Sequence, residues 1–139
     1  MREDATKHLE LIQAVITRMA GNSFLLKGWA VTLSAALFAL GAQNANPAFP
    51  LLALFPALSF WGLDAHYLRQ ERLFRKLYDW IRLATDDELD ATEPFSMSTA
   101  ECEGQVATWA QTVKAPTIAW LHGVVVGACI VVFVVLCSQ

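Results

Sequence analysis

The chain has 139 residues, a length that accommodates one domain. Its residues are 55% hydrophobic and only 17% charged, whereas typical soluble domains contain about 25% charged residues, and the mean hydropathy is +0.40. This composition indicates lipid contact rather than a soluble surface, and a net charge of −3 argues against a nucleic-acid partner.

The chain begins with a polar segment, residues 1–25, in which an amphipathic helix is predicted over about residues 3–20. Its alternation of charged and apolar residues is unlike a cleavable signal peptide. Apolar residues recur at a heptad-like spacing, with Ser23 at the one polar position: Leu9, Ile12, Ile16, Met19 and Leu26. Such a stripe favours packing against another helix. The helix either runs straight into the first membrane span or breaks at residues 21–23.

A transmembrane hairpin is predicted next, over residues 26–63. Residues 28–63 form a stretch of 36 residues without Asp, Glu, Lys or Arg, too long for one span of about 20 residues. The turn-forming residues at 41–47 divide it into spans at about 26–42 and 47–63. A buried hairpin in a soluble core is the alternative, but the remaining residues are too few to cover three such helices.

Residues 64–114 are polar and predict helices at about 64–83 and 99–114. The second has a capping-box pattern at Ser98 and Glu101 and an apolar stripe formed by Cys102, Val106, Trp109 and Val113. The acidic segment 86–93 between the two helices predicts either a loop or a short helix capped by Thr85 and Glu88.

The third span is predicted at about residues 116–137, because residues 115–139 again lack charged side chains. Pro116 suits the first turn of a helix, where no backbone N–H is needed. The expected fold is therefore an all-α integral membrane protein, a single membrane domain over residues 1–139 with three transmembrane helices.

The basic residues predict the orientation of the spans, since Lys and Arg accumulate on the cytoplasmic side. None of the ten lies in the hairpin turn or after Lys114. The N-terminus and residues 64–114 are therefore expected in the cytoplasm and the C-terminus in the periplasm, in a bacterial inner membrane. Trp29, Trp61 and Trp120 fall near the cytoplasmic ends of the spans, where amphipathic rings favour the interface.

Several residues are candidates for function. Gly123 and Gly127 form a GxxxG element, a small-residue face that brings helices close, either between subunits or only within one chain. Asp64, His66 and His122 are candidates for an interface or gate. For His122 the alternative is a side chain that hydrogen-bonds a neighbour or a headgroup. Four basic residues after the second span are expected to bind lipid headgroups or only to hold the topology: Arg69, Arg72, Arg75 and Lys76.

No motif points to catalysis, to a cofactor or to a metal. The cysteines Cys102, Cys129 and Cys137 are odd in number and widely spaced, which is not typical of a disulfide framework or a metal site. The sequence therefore predicts a protein that is not an enzyme and has no catalytic residues, cofactor or metal.

Three segments resemble a group of small bacterial membrane proteins: residues 7–29 (KHLELIQAVITRMAGNSFLLKGW), 60–64 (FWGLD) and 67–72 (YLRQER). The layout, a membrane hairpin flanked by polar helices, is similar to SLATT-type membrane effectors. The resemblance covers mainly residues 7–83. It implies a role in nucleotide-signalling antiphage systems, by oligomerising and permeabilising the inner membrane. This chain departs from that pattern by its third span and by having no separate ligand-sensing domain, so no ligand residues carry over.

Two functions follow as expectations. The first is a membrane effector that contacts the lipid bilayer, forms a homo-oligomer and permeabilises or conducts across the membrane. The alternative is a membrane anchor or regulatory subunit, in which the stripes at 9–19 and 102–113 dock a cytosolic partner protein of a defence system.

Overall fold

The computed structural model of the chain describes residues 3–139, and the regular structure of these residues is entirely helical. The elements in order are α1 (Glu3–Asn44), α2 (Ala48–Leu83), α3 (Asp86–Asp90), a 3-10 helix (Ala100–Gln105), α4 (Trp109–Val113) and α5 (Pro116–Cys137). Three of these helices, α1, α2 and α5, are long and apolar enough to cross a membrane. This confirms the all-helical class and three candidate spans, and α5 has the predicted bounds.

The first two helices are each longer than a bilayer is thick. With 42 and 36 residues, α1 and α2 are about 63 Å and 54 Å long, against a hydrocarbon core of about 30 Å. Of the two alternatives for residues 21–23, the straight run is the observed one: α1 continues through Gly21 without a break. We call residues 28–63 and 116–137 the apolar half, and residues 3–27 and 64–115 the polar half.

A tight turn joins α1 to α2 at the far end of the apolar half. The Asn46 backbone N–H donates to the Gly41 carbonyl at 3.2 Å, and Ala45 has a positive φ of 47°. Gly41 is buried where the two helices meet, because a Cβ there would lie 3.2 Å from the Phe49 Cβ and 3.3 Å from the Pro50 Cδ. The turn is therefore shorter than predicted, since α1 extends to Asn44.

The polar half has its own hydrophobic core. It is built from one face of α1, one face of α2 and the 3-10 helix: Leu9, Ile12, Ile16, Leu73, Leu77, Ile81 and Cys102. Phe74, Tyr78, Leu89, Met97 and Val106 pack around it, half-buried. The stripes expected at 9–19 and 102–113 are thus largely occupied by the chain itself. Leu9, Ile12, Ile16 and Cys102 are buried in this core, whereas Trp109 of the second stripe is 50% exposed. Docking of a partner on these stripes stays a prediction.

The prediction of one continuous helix over residues 99–114 is wrong. The segment is interrupted at Val106, which has extended backbone angles (φ −123°, ψ 143°), so the 3-10 helix and α4 are separate. The expected capping box at Ser98 and Glu101 is not formed: the Ser98 Oγ accepts from the Ala100 backbone N–H at 3.5 Å, but Thr99 precedes the 3-10 helix without a side-chain cap. The capping box lies instead at Thr108 and Gln111, where it starts α4. Contacts with α2 explain the break: the Arg69 Nε donates to the Ala107 carbonyl at 3.2 Å.

The acidic segment forms the short helix α3, as one of the two alternatives for it predicted. Thr85 and Glu88 make a complete capping box, in which the Thr85 backbone N–H donates to the Glu88 carboxylate at 2.8 Å. This hydrogen bond lowers the pKa of the exposed Glu88 carboxyl, because it stabilises the ionised form.

Candidate functional site

Four polar side chains from the three long helices meet at the boundary between the apolar and polar halves. Ser23 and Lys27 come from α1, Asp64 from α2 and His122 from α5; we call them the Asp64 cluster. Asp64 and His122 are fully buried, Ser23 is 8% exposed, and the Lys27 side chain is 23% exposed. A charged cluster with so little solvent contact is expected to have a specific structural or functional role.

Asp64 is the centre of the cluster, and donors from both other long helices reach its carboxylate. The Lys27 Nζ lies 2.6 Å from Oδ2 and 2.9 Å from Oδ1. The Ser23 hydroxyl donates to Oδ1, and the Lys27 ammonium also donates to the Ser23 Oγ at 2.8 Å. His122 completes the set, with its Nε2 2.8 Å from Oδ2.

Helical spacing explains why these residues face one another. Ser23 and Lys27 are one turn apart on α1, so they share a face. The same face continues through the buried residues Ala30 and Ser34 into the apolar half. On α5 the buried residues Ile118, Val125 and Cys129 continue the face of His122.

Two tryptophans hold the surrounding backbone in place. The Trp61 ring stacks on the His122 ring at a centroid distance of 6.0 Å and an angle of 11°, and its Nε1 donates to the Val113 carbonyl at 3.0 Å. The Trp109 Nε1 donates to the Gly62 carbonyl at 3.0 Å. Together these contacts attach α2 to α4 and to the start of α5, so that the position of His122 is determined by its neighbours.

The charges of the cluster balance when His122 is neutral. Asp64 and Lys27 then form one ion pair, and His122 donates its Nε2–H to the carboxylate, which accepts but does not donate. The other ring nitrogen, Nδ1, is buried and has no hydrogen-bond partner among residues 3–139. The Ser34 Oγ, deeper in the apolar half, is buried without a partner as well.

The cluster contains a serine, a histidine and an aspartate but not in a catalytic order. In a nucleophilic triad the histidine lies between the serine and the carboxylate and takes the proton of the serine. Here Asp64 lies between Ser23 and His122, and the serine hydroxyl donates to the carboxylate. The arrangement joins the three long helices, but it does not prepare a nucleophile.

The structure brings together two of the three residues predicted for an interface or gate. Asp64 and His122 are in direct contact, so the expectation that His122 hydrogen-bonds a neighbour describes the observed geometry. His66 lies outside the cluster, exposed on α2, where its ring contacts Tyr67 edge-on at 5.8 Å.

Among the candidates for headgroup binding, two are engaged within the chain. Arg69 donates to the Ala107 carbonyl, and Arg75 forms an ion pair with Glu71 at 2.7 Å. Arg72 is half-buried and Lys76 is exposed. The Arg75 side chain is 60% exposed despite its ion pair, and binding to headgroups stays a prediction for all four residues.

The Gly123 and Gly127 face of α5 has no partner within the described chain. A Cβ at either glycine would meet nothing within 4 Å. Packing of the GxxxG element within one chain, one of the two alternatives, is therefore not observed in residues 3–139. The face stays open to lipid or to another molecule.

The three tryptophans expected at the interface differ in their surroundings. Trp29 and Trp120 are 56% and 79% exposed, so they point outward from the bundle. Trp61 is half-buried, because it stacks on His122 inside the bundle. Only Trp29 and Trp120 are thus oriented as interfacial anchors are.

A cleft of about 730 Å³ lies in the polar half, between the end of α2, α3 and the 3-10 helix. Its wall includes Trp80 and Leu83, which are 38% and 71% exposed, and Cys102, whose thiol is buried. The acidic side chains around the cleft outnumber the basic ones: Asp79, Glu88, Glu93 and Glu101 against Lys76.

The sequence reasoning missed Ser23, Lys27 and Trp61 as members of the site. A signal for them exists: each predicted span carries, or is directly followed by, a polar side chain at the end nearer the basic residues, namely Lys27, Asp64 and His122. Side chains at matching depth on adjacent antiparallel helices are able to meet, and a serine one turn from Lys27 is within its reach.

Comparisons with models of protein families, with curated proteins and with solved structures found no match to this chain.

Proposed function

We propose that this protein is a non-enzymatic effector of the bacterial inner membrane that assembles with copies of itself and permeabilises or conducts across the bilayer. The resemblance of residues 7–83 to SLATT-type effectors supports a role in antiphage defence. The observation that carries the proposal is the open surface of the three long helices.

That surface is apolar and largely uncovered. Within the apolar 18-residue stretch of each helix, only 17% of the residues are buried in α1, 28% in α2 and 22% in α5. Exposed side chains such as Phe24, Phe55 and Val131 need a lipid or protein environment. The Gly123 and Gly127 face adds a place where a second backbone is able to approach closely.

Self-assembly through this face leads to a first prediction. Replacing both glycines, Gly123→Ile and Gly127→Ile, is expected to reduce a detergent-solubilised oligomer to the 15.3 kDa monomer, because the added side chains separate the helices. Light scattering coupled to size-exclusion chromatography measures the mass. The matched control is Val124→Ile with Val131→Ile on exposed positions of the same helix. An oligomer of unchanged mass in the glycine variant would remove this face as the contact.

Membrane permeabilisation is tested with the purified full-length protein in liposomes. We expect the wild-type protein to release an entrapped dye or to carry ion current, and the double glycine variant to lose that activity. If liposomes that contain verified oligomers retain dye and ions as well as protein-free liposomes do, the effector proposal fails.

We propose the orientation that the basic residues predict, with residues 64–114 in the cytoplasm and the C-terminus in the periplasm. Cys137, exposed at the end of α5, is a natural probe, whereas Cys102 is buried and burial raises the pKa of its thiol. A membrane-impermeant maleimide is expected to label Cys137 in intact spheroplasts and to spare Cys102.

The control for orientation is a pair of exposed positions at opposite ends of the bundle. In a variant without the native cysteines, Gln43→Cys is expected to label from outside and Lys114→Cys only after the membrane is opened. Labelling in the reverse order would invert the proposed topology.

The alternative function, a membrane anchor or regulatory subunit, is supported by the cleft in the polar half. Because Leu9, Ile12, Ile16 and Cys102 are buried in the core of the polar half, a cytosolic partner would contact Trp80 and Leu83 beside the cleft. An anchor should co-purify with a stoichiometric soluble protein and lose it in the Trp80→Ala, Leu83→Ser variant. An effector should purify as a homo-oligomer alone.

A further inference from the structure

The charges of the polar half are segregated along α2 and the segments that follow it. Residues 66–78 carry four basic side chains and one acidic one, whereas residues 79–105 carry eight acidic side chains and a single basic one. We call residues 79–105 the acidic end. Because Leu83 lies 19 residues beyond Asp64 on α2, the acidic end is about 28 Å from the boundary of the apolar half. A bilayer around the apolar half therefore does not cover it.

The cleft of about 730 Å³ opens at this acidic end. Part of its wall is apolar: Leu77 and Ile81 are buried beside it, whereas Trp80 and Leu83 are 38% and 71% exposed. Four carboxylates lie around these side chains, from Asp79, Glu88, Glu93 and Glu101. Exposed apolar surface inside a charged rim is typical of a binding site, and the cleft is large enough for a few side chains of a partner.

Two of the four carboxylates are available to a cation from outside the chain. Asp79 already has an ion-pair partner, and Glu88 caps α3. Glu93 and Glu101 are exposed, and no basic side chain of residues 3–139 forms an ion pair with either of them. The cleft thus combines uncovered apolar side chains with negative charge that the described chain does not neutralise.

A second copy of the chain is not the occupant that these charges favour. Copies inserted in one membrane in the same orientation lie at the same depth, so the acidic end of one copy faces the acidic end of the next. The basic run at 69–76 lies about 10–21 Å nearer the membrane along α2 than Leu83 does. Like charges across such a contact repel each other. Nucleic acids and anionic headgroups are disfavoured for the same reason.

We propose that the cleft docks a basic segment of a cytosolic partner protein, in which Lys or Arg residues flank one or two large apolar side chains. The apolar side chains enter between Trp80 and Leu83, and the cations pair with Glu93 and Glu101. A cation over the Trp80 ring adds a further attraction. A small cation such as a polyamine would neutralise the carboxylates but leave the apolar surface uncovered, so a protein segment fits the whole surface better.

This proposal goes beyond the effector function and deepens the alternative function by naming the chemistry of the partner. It rests on the alternative function for the existence of that partner, and on the membrane placement of the apolar half for the exposure of the cleft.

The test selects binders from a random peptide library. The target is the full-length protein in nanodiscs of phosphatidylcholine, which has no net charge, and peptides that bind empty nanodiscs are removed first. We expect the selected peptides to be enriched in Lys and Arg together with large apolar residues. The tightest of them carries a fluorophore and serves as the probe in anisotropy titrations. Selected peptides that are neutral or acidic, or the lack of any enrichment, would overturn the proposal.

Two pairs of substitutions test the charges. Glu93→Gln with Glu101→Gln should weaken binding of the probe by about tenfold or more, because the peptide loses two charged partners. The matched control is Glu3→Gln with Glu10→Gln, at exposed positions of α1 outside the cleft. It changes the net charge equally and should weaken binding by less than about threefold. Equal weakening by the two pairs would mean unspecific attraction and would contradict the proposed site.

The apolar contacts are tested in the same titrations. Trp80→Ala with Leu83→Ser should weaken binding of the probe by about tenfold or more, whereas Leu11→Ser, at a 43% exposed position of α1, should leave it unchanged. Spermine should bind more weakly than the peptide and should not respond to the Trp80 and Leu83 substitutions. Spermine that binds as tightly as the peptide, or peptide binding that is unchanged by these substitutions, would reduce the cleft to a simple cation site and refute the docking proposal.

The oligomer mass tests the second copy as occupant. Light scattering should give the same mass for the wild-type protein and for the Glu93→Gln, Glu101→Gln variant. A smaller mass in the variant would assign the cleft to a contact between copies and overturn the proposal.

Peptide binding does not depend on conductance or on co-purification, so the proposals fail separately. Liposomes that leak, with protein that binds no selected peptide, would contradict the docking proposal alone. Peptide binding by a protein that never permeabilises liposomes would contradict the effector function alone. Peptide binding by a protein that co-purifies with no soluble partner would contradict the anchor function and leave the chemistry of the cleft supported.

Discussion

Replacing Asp64 by alanine is expected to destabilise the packing of the three long helices by about 3–5 kcal/mol, the effect of removing one partner from a buried ion pair. Lys27 and His122 would lose the carboxylate that both contact, and His122 is fully buried. The midpoint of unfolding in sodium dodecyl sulfate, followed by circular dichroism in mixed micelles, measures this change.

The matched control is a charged pair on the surface. Asp79→Asn removes a partner of Arg82, where the two side chains are 56% and 52% exposed and 3.4 Å apart, and should change stability by less than about 1 kcal/mol. The loss of stability in Asp64→Asn should lie between those of Asp64→Ala and Asp79→Asn, because the amide oxygen still accepts a hydrogen bond from the Ser23 hydroxyl. An Asp64→Ala variant as stable as the control would show that the cluster does not hold the helices together.

The second large effect is expected in the core of the polar half. Leu73 is 1% exposed and belongs to the same cluster as Ile12 and Ile16 on α1. Leu73→Ala should therefore reduce the stability of this half by about 2–5 kcal/mol, through lost burial and a cavity. Hydrogen exchange measured by mass spectrometry should report it as faster exchange of the amides at 9–16, with residues 30–37 unchanged.

Leu83→Ala is the control for this substitution. Leu83 is the same residue type on the same helix but is 71% exposed, so its loss should change stability by less than about 0.5 kcal/mol. Equal exchange rates in the Leu73→Ala variant and the wild-type protein would mean that α1 and α2 do not form a hydrophobic core in the polar half.

The core of the polar half is more predictable from the sequence than the Asp64 cluster is. The α1 side of the core around Ile12 follows from periodicity, because charged residues on the other faces of this part of α1 leave only one side apolar. The heptad stripe from Leu9 to Ile16 was predicted from its spacing and is buried. By contrast, α5 is apolar on every side, so spacing alone did not indicate which way His122 points.

Local signals were reliable where a short segment determines its own structure. Pro116 begins α5, and the Thr85 and Glu88 capping box begins α3. They failed at 99–114, where the side chains of Arg69 and Trp109 bind backbone carbonyls of another segment. Such contacts join residues more than 35 positions apart along the chain and override the local preference for one continuous helix.

The sequence by itself determined that the chain is helical and has three stretches able to cross a membrane, because length, hydropathy and the lack of charge are properties of each segment alone. Only the tertiary structure decided which polar residues share a site. Lys27, Asp64 and His122 lie 37 and 58 residues apart along the chain, and their meeting depends on how three helices are rotated about their axes. That rotation is set by packing and hydrogen bonds between the helices, which no single segment encodes.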